Sequence, residues 1–99
     1  MKPLKEADIQ RYFKKRVIAS GGMFRKVKWE GRKAAPDTYV SFPRGVSVWG
    51  SCCFVELKAP GERPRPDQFR EHERMRKAGT RVEWLSTYAD VDEWLRRML

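Results

Sequence analysis

The apolar positions of this chain change period along its length. Ile9, Phe13 and Val17 recur every fourth residue, the stripe of an amphipathic helix, which predicts a helix over 4–19 ended by Ser20-Gly21-Gly22. From Met23 the period drops to two, with Met23, Arg25, Val27 and Trp29 on one side of a strand and Phe24, Lys26 and Lys28 on the other. A second strand runs from Asp37 to Phe42, rich in β-formers, and Pro43-Arg44-Gly45 marks a turn. Val46 to Trp49 extends a hairpin before Gly50 breaks it. Ser51 to Lys58 is a third strand, whose unbroken Cys-Cys-Phe-Val stretch implies burial on both faces.

After a Pro/Gly loop, Pro66 opens a second helix that runs to Ala78 and stops at Gly79. A fourth strand follows over Thr80 to Ser86, with Val82 and Trp84 on one side and Leu85 on the other. A terminal helix over Asp90 to Met98 carries Val91, Trp94, Leu95 and Met98. The order is α-β-β-β-α-β-α, an α/β domain, and 99 residues suit one domain spanning 1–99.

Composition adds a core and removes a membrane. Hydrophobic residues form 40% of the chain, with four Trp and five Phe, enough for a packed interior. No apolar run approaches the roughly 20 residues needed to cross a bilayer, and the first residues lack the apolar stretch of a signal peptide. A soluble, cytoplasmic protein with no membrane partner is expected. Cys52 and Cys53 are strand neighbours that point to opposite faces, so they neither bridge easily nor chelate one metal. With a single histidine, zinc is disfavoured, and both thiols read as buried structural groups.

Charge is unevenly spread. Residues 1–33 hold eleven Lys or Arg and three acids, whereas residues 34–99 hold eleven and ten, so nearly all of the +9 lies in the first third. That is the footprint of a phosphate-backbone binder, although a solubilising surface produces the same count. Lys14, Lys15, Lys26, Lys28, Arg32 and Lys33 are the candidate DNA contacts, with Arg32 and Lys33 favoured because their loop leads into Asp37.

Candidate chemistry lies at the end of the third strand. Glu56 and Lys58 are two residues apart and leave one face of the strand, and Asp37 can sit opposite if the second and third strands pair. Two carboxylates and the Leu57 carbonyl suit Mg²⁺ or Mn²⁺, with Lys58 placed to hold a water or stabilise charge on a phosphate. The plain alternative is an exposed strand with cross-strand ion pairs. Gln68, at the third position of its helix, can face the site or cap the helix, although Arg65 is an unusual residue at the cap itself. Glu6 falls on the apolar stripe of the first helix and needs a partner, unless the first turn frays into solvent. His72, one turn after Gln68, reads as packing or surface.

The set Glu6, Pro36-Asp37, Glu56-Leu57-Lys58 with Ala59-Pro60-Gly61, then Pro66-Asp67-Gln68, resembles the VRR-NUC branch of the PD-(D/E)xK nucleases. The resemblance spans the chain from the first helix through the fourth strand. It implies a restriction-endonuclease-like core with a mixed central sheet flanked by helices, and phosphodiester hydrolysis with one or two metal ions. It also implies a helix-borne Glu and Gln completing the site. Small stand-alone members are similar in being homodimers on branched DNA, four-way junctions included. The expectation is a metal-dependent DNA endonuclease selective for branched DNA. A flap or nicking nuclease on duplex DNA, and a non-catalytic DNA-binding or assembly module, are the alternatives. An RNA- or ribosome-associated protein explains the charge but not the carboxylates.

Overall fold

A computed structural model describes residues 2–47 and 51–99. Its elements are α1 (Glu6–Ala19), β1 (Met23–Lys26), β2 (Thr38–Phe42), β3 (Ser51–Leu57), α2 (Pro66–Lys77), β4 (Val82–Leu85) and α3 (Tyr88–Met98). The sheet order is β1-β2-β3-β4, antiparallel for the first two pairings and parallel for β3 with β4, so the sheet is mixed as expected.

Both helix stops anticipated from glycine are Schellman motifs. Gly22 N donates to Val17 O at 2.9 Å and Thr80 N to Met75 O at 2.9 Å, with Gly21 and Gly79 at φ +88° and +92°. Gly22 has a second reason to be glycine, because a Cβ there would lie 2.5 Å from the Phe42 ring.

One face of the sheet is covered by α1 and α3. Ile9, Phe13 and Val17 meet Val91, Trp94 and Leu95 over Phe24, Val40, Phe42, Cys53, Val55, Leu57 and Leu85. Phe13 packs edge-on to Trp94 at 5.4 Å between ring centroids. Each such side chain contributes roughly 1.5–3 kcal/mol by leaving water. The other face carries α2, with Phe69 edge-on to Trp84 at 6.2 Å and the Arg76 guanidinium donating to Val82 O at 2.8 Å.

Several boundaries and burials differ from the sequence reading. The first strand stops at Lys26 rather than Trp29, because the chain leaves the sheet and the Trp29 indole donates to Pro36 O at 2.6 Å. Asp37 precedes β2 and Lys58 follows β3, each just outside its strand. The last helix starts two residues early, since Thr87 caps it by accepting from Asp90 N at 2.9 Å. Residues 43–47 form a turn, with Val46 N and Ser47 N both donating to Pro43 O, and Val48, Trp49 and Gly50 lie outside the described residues. Only Cys53 is a buried thiol, held up to about pKa 12 chiefly by that burial, while Cys52 is exposed. Double-sided burial of β3 therefore holds only towards its C-terminal end, where Val55, Glu56 and Leu57 are all buried.

Candidate active site

The antiparallel register of β2 and β3 pairs Thr38 with Val55, so one step further Asp37 stands opposite Glu56. Asp37 keeps one foot in the sheet, its carbonyl accepting from Val27 N at 2.8 Å, while its side chain remains exposed. Glu56 is 7% exposed, and Lys58 is half-buried two residues on. Leu57 lies between them with its side chain in the core. The long link between the two strands has not disturbed their pairing.

Glu6, at the first turn of α1, enters the same electrostatic neighbourhood. Burial pushes its carboxyl above the usual glutamate range. Lys58 opposes that shift, Asp37 and Glu56 add to it, and Lys26 opposes it. A residue at the N-terminus of the chain, two strand-end carboxylates and two lysines thus sense one another at one end of the sheet. Glu6 is nonetheless exposed, so the stripe does not bury it.

Gln68 is buried, and its Oε1 accepts from Arg65 N at 2.8 Å. This is the capping role, with only the Gln half of the reciprocal box formed, since an Arg side chain has no acceptor to return. Its amide NH₂ donors are not used by that bond.

The basic candidates divide. Lys26 is drawn into the site, its Nζ lying 3.0 Å from Asp37 Oδ2 and 2.9 Å from Gln10 Oε1. Arg32 approaches Glu71 at 3.7 Å, a carboxylate already held by Arg74 at 2.7 Å. Lys14 lies 5.8 Å from the centre of the Phe24 ring, and Lys15, Lys28 and Lys33 are exposed.

Sequence reasoning missed two groups. Lys26, a candidate DNA contact, also pairs with Asp37, and Gln10, which holds its ammonium, carries no signal in the sequence. His72 is fully buried, with Nε2 3.4 Å from Glu56 Oε1. The available signal was its four-residue spacing from Gln68, which sets both on one face of α2. Among the described residues no three His, Cys, Asp or Glu side chains form a ready metal cage.

A four-stranded mixed sheet with this helix order, and an Asp, Glu and Lys gathered at one end of its central strands, is a restriction-endonuclease-like nuclease fold. The chain is 38% identical over 82 residues to "Putative nuclease p44" of Acyrthosiphon pisum secondary endosymbiont phage 1, spanning 83% of each protein. A solved structure described as "VRR_NUC domain" matches with a TM-score of 0.81 and 40% identity, covering 95% of this chain and 97% of that one. No family model matches the chain. The chain belongs to the VRR-NUC nucleases.

Proposed function

We propose that the protein is a Mg²⁺- or Mn²⁺-dependent DNA endonuclease that hydrolyses phosphodiester bonds, selectively on branched DNA such as four-way junctions. The observation that carries the reading is the register that sets Asp37 opposite buried Glu56, with Lys58 following. A carboxylate so buried, with a single 3.4 Å partner among the described residues, is poorly compensated and favours a cation. Asp37 and Glu56 would hold the ion, with the Leu57 carbonyl as a third hard oxygen. Two carboxylates rather than a closed cage suit an ion that keeps water and phosphate oxygens as its other ligands.

When bound, such an ion polarises the phosphate and acidifies water. Lys58 places an ammonium beside the carboxylates, where it stabilises charge developing on the phosphate. Gln68, locked by its cap, offers its amide donors to a water or phosphate oxygen, and Glu6 tunes the field from α1. Lys14, Lys15, Lys28, Arg32 and Lys33 grip the DNA backbone.

Cleavage of junction, flap and duplex DNA with Mg²⁺ tests the reading. Glu56→Ala and Asp37→Ala should abolish cutting with the fold intact, and Lys58→Ala should slow it about 10²–10³-fold without weakening DNA binding. Full activity in excess EDTA would refute it, and equal cutting of all three substrates would remove junction selectivity.

Symmetric resolution of a junction needs two sites, so the working form is a homodimer. Trp94 and Leu95 serve this domain's own core, which moves any interface away from the buried face of α3. Sedimentation at micromolar concentration should give twice the monomer mass, and a monomer making paired cuts would exclude the dimer.

A further inference from the structure

We infer that His72 is a positioning residue for Glu56: its imidazole holds one carboxylate oxygen so that the other is presented to the divalent cation. This rests on the metal-dependent reading proposed above and extends it to a side chain outside the Asp37, Glu56, Lys58 set.

Three observations carry it. His72 is 0% exposed and its Nε2 lies 3.4 Å from Glu56 Oε1, while Glu56 Oε2 makes no hydrogen bond among the described residues. The same ring leaves Nδ1 buried without a hydrogen-bond partner among the described residues. A leucine would fill comparable space without burying an unpaired nitrogen, so packing alone is a poor reason for imidazole here. What imidazole offers that leucine does not is the contact to Glu56. The facing carboxylate can only accept, which selects the tautomer with hydrogen on Nε2. The other tautomer would bury an unpaired N–H and aim a lone pair at a carboxylate oxygen.

The helix that carries the ring is capped at both ends and tied to the sheet near its C-terminus. Gln68 Oε1 closes its first turn on Arg65 N, Thr80 N closes its last on Met75 O, and Arg76 ties it to the start of β4 through Val82 O. Phe69 stands edge-on to the imidazole at 6.2 Å between ring centroids. The ring is therefore a rigid donor to a residue whose backbone is itself paired with Trp84 of β4. Outer-shell donors of this kind set the direction of a metal-binding carboxylate and raise its affinity.

The test is calorimetric titration of Mn²⁺ into the full chain without DNA, for the unsubstituted protein, His72→Leu and His72→Gln. Leu removes the donor, and Gln returns an N–H near the position of Nε2. His72→Leu should weaken Mn²⁺ binding about 10–100-fold, and His72→Gln should recover most of the loss. The Mn²⁺ concentration for half-maximal cleavage should rise in parallel, while the rate at saturating Mn²⁺ falls far less. Equal Mn²⁺ affinity in all three proteins, or a Gln variant as weak as Leu, would overturn the inference and leave His72 a packing residue. Failure of the unsubstituted protein to bind Mn²⁺ would instead overturn the proposed function, and this inference with it.

A second measurement needs no substitution. The chain has one histidine, so long-range ¹H–¹⁵N spectra report this ring alone. They should show hydrogen on Nε2, and the ring signals should shift saturably as Mg²⁺ is added. The opposite tautomer, or signals indifferent to saturating Mg²⁺, would overturn the inference even if His72→Leu fails to fold.

Discussion

Lys26 occupies the carboxylate that the proposed metal needs, and replacing it should tighten metal binding. Its Nζ lies 3.0 Å from Asp37 Oδ2, and the two side chains are 45% and 55% exposed. An ion pair this exposed contributes roughly 0.2–1 kcal/mol. A cation binding at Asp37 must give up that contact, so Lys26→Met should raise apparent Mn²⁺ affinity by about 1.4- to 5-fold. Gln10→Ala should act in the same direction but less, because Gln10 Oε1 only steadies the ammonium, at 2.9 Å. Lys26→Arg keeps the charge and should keep the lower affinity. Calorimetry at about 0.05 M and 1 M salt provides the internal check. A Debye length falling to about 3 Å screens the pair, so the advantage of Lys26→Met should shrink at high salt. The released lysine also matters to DNA, since an ammonium displaced from Asp37 can meet a phosphate. The same variant should then flatten the salt dependence of DNA binding by about 0.9 log–log units. Unchanged or weaker Mn²⁺ binding by Lys26→Met would refute the competition.

Neutralising Arg32 and Lys33 together should weaken binding to all DNA sequences alike and flatten the log–log salt slope by about 1.8, and an unchanged slope would take the loop off the backbone. In the folded protein a thiol reagent should label Cys52 rapidly and Cys53 only on unfolding, because burial holds Cys53 up to about pKa 12. Mass spectrometry that finds both labelled at equal rates would contradict this. Glu6 has a folded pKa above its ordinary value, so its contribution to stability is full below the unfolded value and is lost as pH rises through the folded one. Glu6→Gln should therefore melt higher than the parent at pH 7 and equal to it near pH 3, and a lower melting point at pH 7 would reverse the sign.

The periodicity that sequence carries is local, and the local parts were legible. A stripe at four-residue spacing, two glycine stops and strands of period two located every element, because each depends on residues close in the chain. The opposition of Asp37 and Glu56 was also legible once two strands were taken as neighbours, since side-chain alternation leaves few choices of register. The start of α3 differs from the sequence reading although its signal is local, Thr87 accepting from Asp90 N three residues on. What was hidden depends on contacts between distant segments. Lys26 pairs with Asp37 only because β1 lies beside β2, and His72 meets Glu56 only because α2 crosses the sheet at that depth. Trp94 is similar: its apolar character showed in the sequence, but not that the surface it covers is the domain's own sheet.

The two faces of the sheet divide stability from chemistry. The face under α1 and α3 is closed by an apolar cluster of thirteen buried residues. The buried positions of α2 are Gln68, Glu71, His72 and Met75, three of them polar or ionisable. Little apolar burial holds this helix to the sheet, so its placement depends on a few contacts that cross to β4: the Arg76 bond to Val82 O and the edge-on packing of Phe69 against Trp84. Directional contacts fix orientation more tightly than they add free energy, since a neutral hydrogen bond contributes only about 0.5–1.5 kcal/mol net. A polar face therefore tolerates a buried Glu56 and an unpaired imidazole nitrogen because the opposite face supplies the stability. Substitutions at Gln68 and His72 should accordingly change metal handling before they change the fold, whereas Phe13→Ala, on the other face, should cost about 3–5 kcal/mol.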